Sequence, residues 1–351
     1  MPDKAETPLP DHSFYGLMLR RRTAIIAILL GLALLLLVLN IAIGSSSISL
    51  VEILKALLTG EGRGNNVLII RNIRLPMSLM ALVVGASLGI GGCEIQTILR
   101  NPIASPFTLG ITNAATFGAA LGLILNTNVL QVSESIMVTA NAFVFALLAS
   151  VCIYAFSSRA GAGKSNIVLF GIALNFFFSA LTMILQYISD SEDLKSLVFW
   201  NMGSLLKTNW TKMLIVSGAL IFCFAMFYKN AWRLTAMTLD DTKAKSLGVD
   251  AQKIRRMVII LTSLATAFAV SFVGSIGFVG IIAPHIARQL VGEDQRYFLS
   301  LSALIGAVTV ALSFTISKLI IPGVVLPIGL VTAVVGIPVF LSIIFREMEA
   351  M

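Results

Sequence analysis

Charge is scarce in this chain, and so are the side chains that usually bind metals or form crosslinks. Only 12% of its 351 residues are charged, and it holds two histidines and three cysteines. An ordinary soluble domain carries about 25% charged residues, so a soluble surface is excluded. His12 and His285 lie far apart and no H-E-x-x-H occurs, which excludes the common zinc-protease arrangement. Cys93, Cys152 and Cys223 all fall in apolar runs without metal-ligand spacing, so neither a disulfide framework nor a thiolate metal site follows. They read as small packing residues.

What is present in abundance is apolar sequence: 57% hydrophobic residues and a mean hydropathy of +0.94. Ten runs approach the roughly 20 residues that cross about 30 Å of hydrocarbon as helix. They cover 23–43, 75–97, 107–126, 135–157, 167–188, 213–228, 257–274, 276–291, 299–319 and 325–345. The break at Gly274 to Gly277 leaves almost no loop between the seventh and eighth. The reading is an all-α polytopic membrane protein with a cytoplasmic tail at 1–22, a transmembrane unit at 23–345 and a short cytoplasmic tail at 346–351. Arg20 to Arg22 precede a long run with no small-x-small cleavage site, which reads as an uncleaved first span rather than a secretory signal.

With both termini inside, 17 of the 25 lysines and arginines fall on the inner side and 8 on the outer. The net charge of +8 is then explained by the anionic inner leaflet, and nucleic acid is not needed as a partner.

Local chemistry singles out several places. Pro102 and Pro106 stop the helix after the second run, leaving Asn101 on irregular backbone. Glu94 and Gln96 lie in the last turns of that run. A carboxylate there marks a pathway or simply reaches the inner interface. The turn AGAGKS, Ala160 to Ser165, looks like part of a phosphate-binding loop, but the first glycine of G-x-x-x-x-G-K-[ST] would fall at Ser158 and no α/β domain surrounds it. It reads as a flexible inner turn. The longest inner segment, 229–256, predicts a short helix capped by Thr238, with Asp240 and Asp241 in its first turn, Lys243 and Lys245 at its end and Gly248 as its stop.

These segments also carry a resemblance. R-x-x-R-L-P from Arg71, G-A-S-L from Gly85, Q-x-x-x-R-N-P-I-A-S-P-x-x-L-G from Gln96 to Gly110, G-S-I-G-F-V-G-I-I-A-P-H from Gly274 and L-P-I-G-L-V from Leu326 resemble the permease subunits of FecCD or BtuC-type ABC importers of iron chelates and cobalamin. The resemblance spans roughly 65 to 345. It implies an inverted repeat, two permease chains, identical or related, around one pathway, two cytoplasmic ABC ATPase subunits and an external substrate-binding protein. By the same resemblance the segment containing Thr238, Asp240, Asp241, Leu247 and Gly248 holds the ATPase-coupling helices. Asn101, Pro102 and the turn from Ser158 to Ser165 stand at the inner gates. Arg71, Arg74 and Lys318 are outer basic residues that meet the acidic lobes of the binding protein, or else anchor to lipid headgroups. The second arginine of the family's outer pattern is Met77 here.

The resemblance implies a permease in a bacterial inner membrane, not an enzyme, with no cofactor of its own and an iron chelate such as a ferric siderophore as cargo, or alternatively haem or cobalamin. The few histidines favour a pre-chelated metal over a bare ion, and His285 reads as a packing or hydrogen-bonding residue. A secondary transporter is disfavoured because, Glu94 apart, the spans carry almost no charge at their centres.

Overall fold

The computed structural model describes residues 12–44, 48–62, 64–125, 133–159 and 163–349. The first eleven residues of the expected N-terminal tail and the turn residues Ala160 to Ala162 lie outside these. Among the described residues the chain is almost entirely helical. It begins with α1, His12–Ala42, and a short surface helix α2, Leu50–Leu58, whose cap Ser49 accepts a hydrogen bond from the Glu52 amide at 3.3 Å. A single turn α3, Asn66–Leu68, passes through the π-helical stretch Ile69–Arg74 into α4, Leu75–Leu99.

Beyond α4 come α5, Ile111–Ile124; α6, Glu134–Ser157; α7, Lys164–Ile188; α8, Ser191–Asn201; and α9, Trp210–Lys229. The inner segment forms α10, Ala231–Met237, and α11, Asp241–Ser246. The chain ends with α12, Ala251–Val273; α13, Val279–Val291; α14, Gln295–Leu319; and α15, Ile328–Glu349. Each of the ten apolar runs overlaps one of the larger described helices. Seven are long and apolar enough to cross a membrane, and the apolar stretches of the other three, Ile111–Ile124, Val279–Val291 and Ile328–Ser342, are shorter.

α4 is the central element. It packs against α14, α13, α12 and α9, and 19 of its residues are buried. Small residues allow this. A Cβ built on Gly92 would come within 1.8 Å of the Gly280 carbonyl oxygen in α13, and one on Gly89 within 2.2 Å of the Ser302 oxygen in α14. Without a hydrophobic force between helices in lipid, such backbone approach is a main source of attraction. The outward faces of α1, α7 and α9 carry exposed Leu34, Phe176 and Ile221, as lipid contact requires.

Three chain breaks meet at one place. Ser204 N–H donates to Val273 O at 2.7 Å, Ile328 N–H to Gly203 O at 3.0 Å and Gly329 N–H to Met202 O at 2.9 Å. The ends of α8 and α12 and the start of α15 therefore satisfy one another's backbone groups, the condition for irregular chain at membrane depth. Gly274, with φ +80, is required there, since a Cβ would sit 2.2 Å from Trp200 O.

Candidate functional site

The inner segment is tied down by charge. Asp240, in extended conformation, is the N-cap of α11, and Asp241 is its first residue. Thr238 does not cap this helix. It closes α10, and its hydroxyl donates to the Thr235 carbonyl at 2.8 Å, so the expected cap belongs two residues later in the chain. The Asp240 side chain makes no capping hydrogen bond, because its carboxylate faces Arg100 at 3.3 Å. Asp241 holds Lys164, the first residue of α7, at 2.8 Å and Arg255 of α12 at 2.9 Å. Partial burial alone would raise the Asp241 carboxyl, but hydrogen bonds and charge from Lys164 and Arg255 outweigh it, and its pKa lies below the ordinary carboxylate value.

Gly248 has φ +80 and ends α11 as its composition suggests, while Leu247 beside it is 49% exposed. Behind this turn lies a cleft of about 310 Å³ lined by Asn230, Arg233, Gly248, Asp250, Lys253 and Met257. The turn is therefore an exposed apolar tip on a charged, anchored base.

The turn after α4 is held by hydrogen bonds among its own residues and to α10. Arg100 adopts the left-handed conformation at φ 49 and its guanidinium also reaches Met237 O at 3.4 Å. Asn101 Oδ1 accepts from the Ile103 amide at 3.0 Å, and Pro102 follows it half-buried. Ser158 ends α6 with its hydroxyl on Tyr154 O at 2.9 Å, and Ser165 is exposed in the first turn of α7.

Glu94 and Gln96 are both buried to within 1% inside the chain. Gln96 accepts from Arg288 at 3.2 Å, and Gln295 donates to Thr97 at 2.8 Å. Glu94 Oε1 lies 4.0 Å from Cys93 Sγ. His285 pairs with Gln289 at 2.8 Å, the hydrogen-bonding role its isolation suggested.

The outer cations have internal work. The Arg74 guanidinium, 7% exposed as a residue, donates to Ile41 O at 2.9 Å and Ala42 O at 3.1 Å, and Lys318 donates to Asn40 O at 2.6 Å while lying 3.8 Å over the Phe314 ring. Both thus cap the carbonyl end of α1, where helix-dipole charge is negative. Arg71 does the same for α2, donating to Ala56 O at 2.7 Å and Leu57 O at 3.1 Å. At its other end α1 is held by Arg22, which donates to Val291 O at 3.0 Å and sits 3.8 Å from Asp294. Sequence reading missed these caps, and the grips by Lys164 and Arg255, because the partners are remote in the chain.

A multi-helical chain with irregular, mutually satisfied breaks and a charged inner platform is a transporter's architecture, and comparison with known proteins decides which. Residues 32–346 match the FecCD transport family. The chain belongs to that family. It is similar to the molybdate import permease MolB of Haemophilus influenzae, 35% identical over 79% of this chain and 81% of that one. It is also similar to the hemin transport permease HmuU of Yersinia pestis, 32% identical over 79% of this chain and 83% of that one. A solved inward-facing metal-chelate type ABC transporter superposes with a TM-score of 0.81 and 31% identity, covering 92% of this chain and 99% of that one. The FecCD chain is accordingly a multi-pass, pore-forming subunit of an ABC importer in the inner membrane, not an enzyme. Membership implies ATPase and substrate-binding partners.

Proposed function

We propose that this chain moves a ferric siderophore or similar iron chelate inward across the membrane, fed by an external binding protein and driven by cytoplasmic ABC ATPases. The observation that carries the cargo class is the company of relatives, which include a hemin permease and an Fe(3+)-citrate permease of Bacillus subtilis that is 31% identical over 91% of this chain. The paucity of histidine supports a metal that arrives already wrapped. The molybdate permease relative supports a second reading, an oxyanion cargo.

In this reading residues 23–345 form the transmembrane unit, and two such chains, identical or related, enclose the path. The segment 229–256 receives the ATPase through Leu247 and Gly248, with Thr238, Asp240 and Asp241 fixing its attitude. Asn101, Pro102, Ser158 and Ser165 stand at the inner mouth, and Glu94 and Gln96 behind it. Arg71, half-exposed, meets the binding protein, while Arg74 and Lys318 shape that face by holding α1.

The test is uptake of labelled ferric siderophores, haem, cobalamin and molybdate in a strain lacking this chain and in the same strain with it restored. Recovery of a ferric siderophore alone, abolished when the partner ATPase is inactivated, is the expected result. Recovery of molybdate alone overturns the iron reading.

A further inference from the structure

Asp240 and Asp241 are adjacent, yet each grips a different remote helix end. Asp240 faces Arg100, the left-handed residue that closes α4, at 3.3 Å. Asp241 faces Lys164, the residue that opens α7, at 2.8 Å. They diverge because the chain turns from extended to helical between them, Asp240 having ψ 149.

We propose that this carboxylate pair is a splitter: one displacement of α11 is delivered through Asp240 to the turn after α4 and through Asp241 to the start of α7, with Arg255 as the fixed anchor. The inference rests on the coupling reading above and goes beyond it in naming the residues that carry the movement.

Three observations support it. The backbone of α11 packs chiefly on α10 and α12, and the two ion pairs are its charged links to the ends of α4 and α7. Arg255 has a side chain only 6% exposed, whereas Lys164 and Arg100 retain 20% and 30%. The anchor is embedded and the two movable partners are not. Finally, both partners sit at helix termini, where a shift of the side chain re-forms a terminal turn without breaking a helix interior. Coupling of this kind needs a contiguous physical link with two arrangements, and the pairs supply the link.

The experiment uses the whole transporter in proteoliposomes with its ATPase and binding protein, reading chelate uptake per ATP hydrolysed. Asp241→Asn and Lys164→Met should each lower that ratio by about tenfold, and Lys164→Arg should restore it. Arg100→Asp should lower it also, and the exchange pair Arg100→Asp with Asp240→Arg should bring it back to within about twofold of wild type, as a direct interaction requires. Wild-type ratios in the stably folded variants would overturn the proposal, as would an exchange pair no better than Arg100→Asp alone. If Asp241→Asn does not fold, the Lys164 and exchange variants decide. A wild-type transporter that moves no chelate on ATP hydrolysis defeats the coupling reading itself, an outcome visible before any variant is made.

Discussion

Gly85 and Gly306 face each other across the α4–α14 crossing so closely that a Cβ on either would lie 2.2 Å from the other's carbonyl oxygen. The obstacle is backbone on both sides, so no rotamer change can relieve it. Gly85→Ala should therefore destabilise the folded chain by about 1–3 kcal/mol or more through overpacking. Gly31 of α1, with nothing within 4 Å of its added Cβ, is the control, and Gly31→Ala should be neutral or slightly stabilising. Thermal unfolding of the two variants in detergent checks the contrast.

Arg74 gives a second prediction, which separates an internal role from a docking role. Replacing it by Met leaves Ile41 O and Ala42 O without their charged donor, and hydrogen bonds to charged groups are worth about 1.5–3 kcal/mol. Arg74→Met should lower the unfolding midpoint in the isolated permease, with no binding protein present. A variant as stable as wild type that loses only binding-protein affinity would show that the outer cation serves docking instead.

The helices were largely legible in the sequence because apolar length is what a bilayer selects. Where reading failed, composition and hydrogen bonding part company. Phe107 to Gly110 and Ile276 to Phe278 are mostly apolar yet not helical, so α5 and α13 are shorter than their hydrophobic runs. At the site, Gly248 was visible because only a positive φ explains a glycine closing that helix. The grip of Asp240 on Arg100 joins positions 140 residues apart, and the capping of α1 by Lys318 joins positions 278 apart. Nothing local in a chain records such pairings, and a count of charges on each face does not distinguish them.

Gly248 predicts a distinction between strain and bulk. Its φ is +80, but no atom lies within 4 Å of an added Cβ. The position thus objects to conformation and not to volume. Asn, which enters the left-handed region with little cost, should be tolerated, whereas β-branched Val should distort the turn that presents Leu247. Comparable membrane expression of Gly248→Asn and Gly248→Val, with uptake per ATP lost only in Val, is the expected pattern. Equal uptake in both would remove the turn from the coupling path.

The lowered pKa of Asp241 sets a pH dependence with a definite sign. A carboxylate whose folded pKa is depressed contributes its stabilisation above its unfolded value and loses it as pH falls through the folded one. The grip on α7 and α12 should therefore be constant from about pH 8 down to about pH 5 and weaken only below the ordinary carboxylate range, near 3.9. A distance between spin labels placed on exposed Ser246 and Ser165, followed by pulsed resonance on the inner face, should stay unchanged over the first interval and lengthen below it. In Asp241→Asn the same distance should have no acid step, since the titrating group is gone. A step that persists in that variant would assign the acid transition to another carboxylate and leave the Lys164 grip pH-independent.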